Sequence, residues 1–258
     1  MDKVKPKKNL GQHFLTDKRI AEKIVDSLTF NHYNKVLEIG PGMGVLTDFL
    51  IEKTQPENLY IVDIDTESIA FLKDKYPALQ NIIERDFLAL NLPQLINEPF
   101  AVIGNFPYNI SSQILFKIYD NKEIIPEMCG MFQKEVAERV CAKPGSKIYG
   151  ILSVLMQTFY STEYLFTVKE TVFNPPPKVK SGVIRLTRKE NVNLPCDEKL
   201  FKQIIKSAFN QRRKTLRNSL KAYIFNAELK QKEVFNQRPE QLGVNDFIEL
   251  TCLIEHFQ

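Results

Sequence analysis

The chain has 258 residues, of which 43% are hydrophobic and 26% are charged, and its net charge is +4 at pH 7. This composition is typical of a soluble globular protein with one large and one small domain. The four cysteines lie far apart, with no CxxC pair and no histidine at ligand spacing, which argues against a disulfide framework and a zinc site. No apolar run approaches the roughly 18 residues of a membrane span. We therefore expect a cytoplasmic protein that carries no metal and binds no membrane.

Short strand-like runs alternate with helical patterns through most of the first 160 residues. Two segments have the apolar spacing of helices, VLTDFLIEK (45–53) and ESIAFLKDKY (67–76). Strands that alternate with helices predict βαβ units and a parallel sheet. The predicted strands are KVLEIG (35–40), LYIVDID (59–65), NIIERD (81–86) and FAVIGN (100–105).

The pattern changes in the second half of the chain. GILSVLMQTFY (150–160) predicts a helix, and EYLFTVKE (163–170) and SGVIRLTR (181–188) could pair as strands around the loop FNPPPKVK. From about residue 190 onward the pattern is helical. We therefore expect an α/β domain over residues 1–189, with helices on both faces of its sheet, and a small α-helical domain over residues 190–258.

Three of the predicted strands end in residues that could together bind an adenosine. In a parallel sheet, ligands bind at the carboxyl ends of the strands. Gly40 and Gly42 follow the first strand and allow a ligand to approach the backbone closely. Asp63 ends the second strand, where a carboxylate could accept hydrogen bonds from both ribose hydroxyls. After the third strand, Asp86 could accept a bond from an exocyclic amine, with Phe87 as a wall beside the base.

The glycine turn by itself leaves three interpretations open. Dinucleotide-binding enzymes also combine such a turn with an acidic residue about 20 positions later. Their G-x-G-x-x-G fingerprint, started at Gly40, requires Gly or Ala where this chain has Val45, which favours a methyl-donor site. The third interpretation is a structural turn with a solvated Asp63.

The segment NFPY at the end of the fourth predicted strand favours methyl transfer to an aromatic amine. Such an amine is a poor nucleophile, and two acceptors that bind its hydrogens stabilise the pyramidal nitrogen of the transition state. The side-chain oxygen of Asn105 can be one acceptor, and the backbone carbonyl of Phe106, in a turn stiffened by Pro107, can be the other. Tyr108 then offers a ring on which the base can stack.

A basic segment near the C-terminus is a candidate for RNA contact. Between Lys199 and Lys221 there are eight Lys or Arg and no Asp or Glu. Apolar spacing predicts a helix that breaks at NQR and restarts near Thr215, because a continuous helix would place a guanidinium in its apolar stripe. The break would present three cations on an exposed turn, where they could contact RNA phosphates: Arg212, Arg213 and Lys214.

The N-terminal lysines leave two interpretations open, which are a disordered tail and a second phosphate contact. They are Lys3, Lys5, Lys7 and Lys8.

The chain resembles the KsgA-type family of small-subunit ribosomal RNA adenine dimethyltransferases nearly from end to end. Seven segments match the family in order: KKNLGQHFL (7–15), EIGPGMGVLT (38–47), RDFL (85–88), GNFPYNIS (104–111), QKEVAERV (133–140), FNPPPKVKSGVIRL (173–186) and AFNQRRKTLRNSL (208–220).

The resemblance implies a Rossmann-like class I methyltransferase sheet and S-adenosylmethionine as the methyl donor. It implies dimethylation of the N6 amines of two adjacent adenosines, in a hairpin loop near the 3′ end of small-subunit (16S) rRNA, within a pre-ribosomal 30S particle. A role in small-subunit biogenesis and a monomeric state are further expectations. The implied cofactor-binding residues are Gln12, His13, Leu15, Gly40, Gly42, Asp63, Asp86, Phe87 and Asn105.

The same resemblance assigns the catalytic and RNA-binding residues. Phe173 would close on the target adenine opposite Tyr108. The sequence departs from the common family pattern at Phe106, where Leu is usual, and at Asp63, where Glu is frequent. The catalytic set is Asn105, Phe106, Pro107, Tyr108 and Phe173, and the RNA-binding set is Arg212, Arg213, Lys214 and Arg217.

Two further functions are compatible with these motifs. An Erm-type large-subunit rRNA adenine methyltransferase shares the fold and much of the NxPY chemistry, but the segment AFNQRRKTLRNSL favours the small-subunit family. A non-catalytic RNA-binding assembly factor with a relic cofactor pocket is the other alternative. The intact Asn105, Tyr108, Asp63 and Asp86 argue against it.

Overall fold

The computed structural model of the chain describes residues 4–224 and 227–257. Two compact units divide the molecule: the first contains residues 1–137 and 161–188, and the second contains residues 138–160 and 189–258. The expected domain boundary after residue 189 lies next to the division at 188, whereas residues 138–160 belong with the C-terminal unit. Lys3 lies outside the described residues.

A seven-stranded sheet forms the centre of the first unit, flanked by helices. The order of the strands is β4-β3-β2-β5-β6-β9-β7, and the last strand of the chain, β9, runs antiparallel to β6. The remaining two strands, β1 and β8, form a small separate ladder. The bounds are β1 (Phe14–Leu15), β2 (Lys35–Ile39), β3 (Leu59–Asp63), β4 (Ile82–Glu84), β5 (Phe100–Asn105), β6 (Glu127–Gln133), β7 (Tyr160–Val168), β8 (Phe173–Asn174) and β9 (Ser181–Arg188).

The apolar runs of the sequence form the buried centre of this sheet. In β5, the five residues before Asn105 are all buried, as expected for a strand covered on both faces. The four strands predicted in the first half of the chain are confirmed as β2, β3, β4 and β5, and the two later ones as the neighbouring strands β7 and β9. β6 was not predicted, because EMCGMFQ has neither β-branched residues nor alternating polarity.

Two helices of the first unit follow an aspartate, a residue type that is favoured at the N-cap. Asp17 and Asp65 cap α1 and α3, each accepting a hydrogen bond from a backbone N–H of the first turn. Residues 138–140 at the end of α6 already belong to the second unit. The bounds are α1 (Lys18–Val25), α2 (Thr47–Lys53), α3 (Thr66–Lys75), α4 (Leu92–Leu95), α5 (Ser111–Asp120) and α6 (Lys134–Val140).

The second unit is helical in all its regular structure that lies within the described residues, apart from the first residue of β7. The apolar stripe of α8 is buried, and α8 ends at Asn210, so that the predicted break is confirmed. The chain becomes helical again at Leu216, after Thr215. The bounds are α7 (Ile151–Phe159), α8 (Glu198–Asn210), α9 (Leu216–Ser219), α10 (Ala227–Gln231) and α11 (Val244–His256).

No helix in the described part of the chain has the length and apolar character needed to cross a membrane. Among the same residues, no group of three or more His, Cys, Asp or Glu is arranged to hold a metal ion.

Candidate functional site

The candidate site lies at the carboxyl ends of β2, β3 and β5, where the strand order reverses. β2 pairs with β3 on one side and with β5 on the other, and such a reversal opens a crevice in which α/β proteins bind ligands. Gly40 and Gly42 follow β2 with φ angles of 65° and 58°, a region that favours glycine. A Cβ at Gly42 would lie 2.8 Å from the ring of Phe14, so the turn also requires glycine for space.

A pocket that is partly open to solvent occupies this crevice. It brings together most of the predicted cofactor and catalytic residues. Leu15 lines an adjoining pocket, which shares Phe14, Gly40 and Asn105 with the first. The predicted residues that line the first pocket are Gln12, His13, Gly40, Gly42, Asp63, Asn105, Phe106, Pro107 and Tyr108.

The side-chain amide of Asn105 is held in one orientation. Its Nδ2 donates a hydrogen bond to the backbone carbonyl of His13 at 2.9 Å. Because the nitrogen is used there, the Oδ1 atom is left as an acceptor on a half-buried side chain that lines the pocket. The end of β5 therefore presents one fixed acceptor for an amine.

The next residue, Phe106, has its ring in the core and its backbone at the site. The ring is 1% exposed and lies 4.7 Å from that of Phe132, measured between centroids. Gly104 and Gly130 make room for it, since a Cβ at Gly130 would lie 2.2 Å from the Phe106 ring. The Phe106 N–H donates to Met131 at 3.1 Å, and no described residue donates to its carbonyl. The larger side chain at this position is therefore accommodated in the core.

Tyr108 is held at both ends. Its hydroxyl lies 2.5 Å from the hydroxyl of Ser181, which is fully buried at the start of β9. The ring stacks on that of His13, with centroids 5.6 Å apart and an interplanar angle of 27°. His13 in turn uses Nδ1 to donate to the backbone carbonyl of Pro175 at 2.7 Å. The aromatic platform predicted at Tyr108 is thus a fixed pair of rings.

Asp63 is a buried acceptor at the end of β3, only 7% exposed. Burial raises the pKa of its carboxyl, while backbone N–H groups of Asp65 and Gly42 act in the opposite direction. One of these bonds, from Asp65 to Oδ1, is 2.9 Å long. Asp63 therefore lines the pocket as a pre-oriented carboxyl group.

Gln12 and Lys7 connect the N-terminal segment to α3 through Asp65. Gln12 donates from Nε2 to Asp65 Oδ2 at 3.1 Å, and Lys7 Nζ lies 2.5 Å from Asp65 Oδ1. Burial raises the pKa of Asp65, but the hydrogen bonds from Lys7, Gln12 and Ser68 outweigh it and leave the pKa lowered. Gln12 thus holds the segment that leads into His13 in place, and Lys7 is occupied by an ion pair.

Glu38 is a site residue that the sequence analysis missed. It is fully buried on β2, and Thr47 donates to its Oε2 at 2.6 Å. The other oxygen, Oε1, has no hydrogen-bond partner among the described residues, and Glu38 lines the pocket that adjoins Asn105. Burial raises the pKa of this carboxyl to about 8. The available signal was a charged residue inside the apolar run KVLEIG.

Three predicted residues are not among those that line these two pockets: Asp86, Phe87 and Phe173. Asp86 is exposed and accepts the Leu88 N–H at 2.8 Å, so it caps a short 3₁₀ helix. Phe87 is buried, 4% exposed, with the Lys117 ammonium 5.4 Å from its ring centroid. Their contacts with an adenine stay predictions.

Phe173 lies in the core and does not line either pocket. Its ring is 4% exposed and belongs to the apolar core, and β8, where it lies, pairs with Leu15. The ring stacked on Tyr108 is that of His13. The contact of Phe173 with a target adenine, implied by the family resemblance, stays a prediction.

The predicted RNA-binding residues of the second unit divide into two pairs. Arg213 and Lys214 are exposed in residues 211–215, here called the basic turn, and the side chain of neither has a partner among the described residues. Arg212 instead donates to the Ser146 carbonyl at 3.1 Å. Arg217 donates to Asn236 Oδ1 at 2.9 Å and to the Lys230 carbonyl. Only the first pair is free to contact RNA without breaking an existing bond.

Comparison with known proteins gives full-length relatives. "Ribosomal RNA small subunit methyltransferase A" of Flavobacterium johnsoniae is 60% identical over 257 residues, which cover 99% of this chain and 98% of the relative. The protein of the same name from Cytophaga hutchinsonii is 56% identical over 256 residues, covering 98% and 99%.

Solved structures share the fold. A dimethyladenosine transferase from Plasmodium falciparum superposes with a TM-score of 0.80 at 26% identity, covering 95% of this chain and 98% of that one. The 23S rRNA methyltransferase ErmE gives a TM-score of 0.68 at 24% identity, covering 93% and 99%, a likeness that concerns the fold alone. A family model described as "Ribosomal RNA adenine dimethylase" matches residues 3–251. The chain therefore belongs to the ribosomal RNA adenine dimethylase family.

Proposed function

We propose that this chain transfers methyl groups from S-adenosylmethionine to the N6 amines of two adjacent adenosines in the 3′-terminal hairpin loop of small-subunit rRNA. Each adenosine receives two methyl groups, and the reaction takes place in the cytoplasm on a 30S precursor during subunit assembly. The names of the full-length relatives support the choice of the small subunit. One observation carries the chemistry: the amide of Asn105 is oriented by His13 so that its oxygen is left as an acceptor.

The pocket residues fit the proposed cofactor. Asp63 offers a buried carboxyl to the ribose hydroxyls, and the positive φ angles of Gly40 and Gly42 leave the backbone open to close approach. The unpartnered Oε1 of Glu38 suits an ammonium group, because a buried acceptor without a donor is unfavourable until a cation or N–H group reaches it. When bound, the cofactor supplies a methyl group on an activated sulfonium.

The remaining chemistry belongs to residues of β5 and the turn after it. Asn105 Oδ1 and the Phe106 carbonyl accept hydrogen bonds from the two hydrogens of the amine, and so favour the pyramidal nitrogen. The Tyr108 ring, fixed through Ser181, supports the face of the base. No titratable side chain is needed as a base, since the amine loses its proton to water after transfer.

Methyl transfer to isolated ribosomal subunits tests this proposal. Labelled S-adenosylmethionine is supplied with unmodified small subunits or with large subunits, and the nucleosides are analysed by mass spectrometry. We expect N6,N6-dimethyladenosine in small-subunit rRNA alone. Label in the large subunit would indicate the Erm-type activity, and absence of label from both would indicate a non-catalytic assembly factor.

Paired variants control for contaminating activity in this assay. Asn105→Ala removes the proposed acceptor, whereas Asn193→Ala changes an exposed asparagine in a loop of the second unit. Incorporation should disappear with the first variant and persist with the second.

A further inference from the structure

A second pocket of the first unit lies beside the candidate site and has no role in the function proposed above. It is partly open to solvent, and we call it the proline pocket after the three consecutive prolines that line it. It shares with the candidate site only Gly11, Gln12, His13 and Tyr108, so the stacked rings of His13 and Tyr108 lie at the boundary between the two.

The chemistry of the proline pocket suits a nucleotide. Three consecutive proline rings and Val179 form an apolar wall, and Val179 is 46% exposed. Lys8 and Lys178 also line it, both are exposed, and neither forms an ion pair with a described carboxylate. None of the described residues that line the pocket is acidic. Apolar and aromatic surfaces with adjacent cations are the features by which proteins bind bases and phosphates of single-stranded nucleic acids.

The position of Asn105 decides which nucleotide this is. Asn105 lines the candidate site but not the proline pocket, so a base whose amine reaches Asn105 lies on the candidate-site side of the ring pair. The two pockets meet at His13 and Tyr108, so an RNA strand can continue from one to the other past these rings. A continuous strand thus has its next nucleotide where the proline pocket opens.

We propose that the proline pocket binds the nucleotide adjoining the target adenosine, with its base against the proline wall and its phosphates near Lys8 and Lys178. This inference rests on the proposed function for the identity of the target. The proline rings contain no hydrogen-bond acceptor for an amine, and the Pro175 carbonyl already accepts a hydrogen bond from His13. An adjoining adenine therefore gives up no hydrogen bond to this wall when its amine carries two methyl groups. The pocket accepts the neighbour both before and after modification.

The proposed contact between lysine and phosphate is tested by replacing two lysines of one segment. Lys178 lines the pocket, whereas Lys180, also exposed and two positions later, does not. Binding of a short fluorescent single-stranded RNA with one adenosine pair is measured by anisotropy at several salt concentrations, with the full chain and without cofactor. Lys178→Ala should weaken binding about three- to tenfold and reduce the salt slope by about one unit, and Lys180→Ala should change neither.

The base is tested by changing the RNA. An abasic nucleotide next to the target, on either the 5′ or the 3′ side, should weaken binding about fivefold or more on one of the two sides. An abasic nucleotide several positions away should have no such effect. N6,N6-dimethyladenosine at the sensitive position should bind within about twofold of adenosine, because the proline rings accept no hydrogen bond from the amine that dimethylation would remove.

The outcomes separate this proposal from the proposed function. Equal effects of the two lysine variants, no effect of either abasic neighbour, or no measurable RNA binding at low salt would each overturn the pocket assignment. If the wild-type chain still dimethylates small subunits, the proposed function survives that result. Conversely, if the chain shows the Lys178 and abasic effects but transfers no methyl group, the pocket assignment is supported and the proposed function is contradicted.

Discussion

The carboxyl edge of the sheet and the basic turn hold their polar groups in opposite ways. At the sheet edge, Glu38 and Asp63 are buried and Asn105 is fixed by a bond to His13. In the basic turn, the side chains of Arg213 and Lys214 are exposed and have no partner among the described residues. Fixed groups in a shielded site act strongly and individually, whereas solvated charges act weakly and additively. Substitutions should therefore change particular steps at the edge and only graded, salt-dependent binding at the turn.

The largest effect should come from Glu38, through pH. Burial raises its pKa from 4.5 to about 8 in the folded chain, with Asp63 and Asp48 acting in the same direction and Thr47 and Lys75 against it. The folded state thus binds the proton more tightly than the unfolded state, and stability falls as pH rises through this window. The loss should be on the order of 4 kcal/mol. Glu38→Gln should remove this part of the pH dependence.

Thermal unfolding from pH 4.5 to pH 9 checks this prediction. The exposed Glu52 provides a matched control, since Glu52→Gln removes the same charge from the surface of α2. If both variants follow the wild-type pH profile, Glu38 is not the titrating group.

The next effect concerns the rate of methyl transfer. Asn105→Ala should lower the single-turnover rate about 100-fold or more, because the acceptor matters most as charge develops on the nitrogen. Cofactor affinity, measured by calorimetry on the same variant, should change far less. A rate near that of the wild type would remove Asn105 from the mechanism.

A change at Asp63 should alter the affinity for the cofactor and not the rate of methyl transfer. Asp63→Ala should weaken S-adenosylmethionine binding by about 1.5 to 3 kcal/mol, since charge-assisted bonds to ribose would be lost. Calorimetry measures this change. Melting temperatures are needed beside it, because the variant also deprives the Asp65 and Gly42 N–H groups of an acceptor. An unchanged dissociation constant in a folded variant would contradict the assignment.

The close packing around Phe106 predicts an effect on stability. A Cβ at Gly130 would lie 2.2 Å from the Phe106 ring and 2.7 Å from the Gly104 carbonyl. Gly130→Ala should therefore destabilise the chain by about 1 to 3 kcal/mol in denaturant unfolding. Adding Phe106→Leu should restore part of the loss if the ring is the cause. A double variant no more stable than Gly130→Ala would assign the effect to the backbone contact.

The contrast between buried and exposed regions also explains how much of the fold could be predicted from the sequence. Strands with uninterrupted apolar runs, such as β3 and β5, were found because burial on both faces leaves a visible pattern. β6 was missed although it is almost wholly buried, because it has no β-branched residue and contains Gly130, which the Phe106 ring requires. A local pattern cannot reveal a residue chosen for a contact that is distant in sequence.

At the site, the sequence indicated which residues that follow strands lie together in one pocket, since strand ends converge at one edge of a parallel sheet. Individual partners were not predictable. The ring stacked on Tyr108 comes from His13, a partner that no sequence pattern indicated, and the ring of Phe173 lies in the core beside the β1–β8 ladder. In the second unit, a count of charges could not show that Arg212 and Arg217 are bonded to backbone carbonyls.

The smallest effect is expected at the basic turn, where it separates contact with RNA from contact within the unit. Arg213→Ala combined with Lys214→Ala should flatten the slope of log affinity against log salt by about two units, with the melting temperature unchanged. Arg212→Ala combined with Arg217→Ala should instead lower stability by about 1 kcal/mol, because each guanidinium is bonded to a carbonyl but remains partly solvated. Binding to small subunits at several salt concentrations, with unfolding of the same samples, measures both quantities. If the Arg213→Ala, Lys214→Ala variant unfolds, the two cations stabilise the fold. If it stays folded and the salt slope is unchanged, RNA is bound elsewhere.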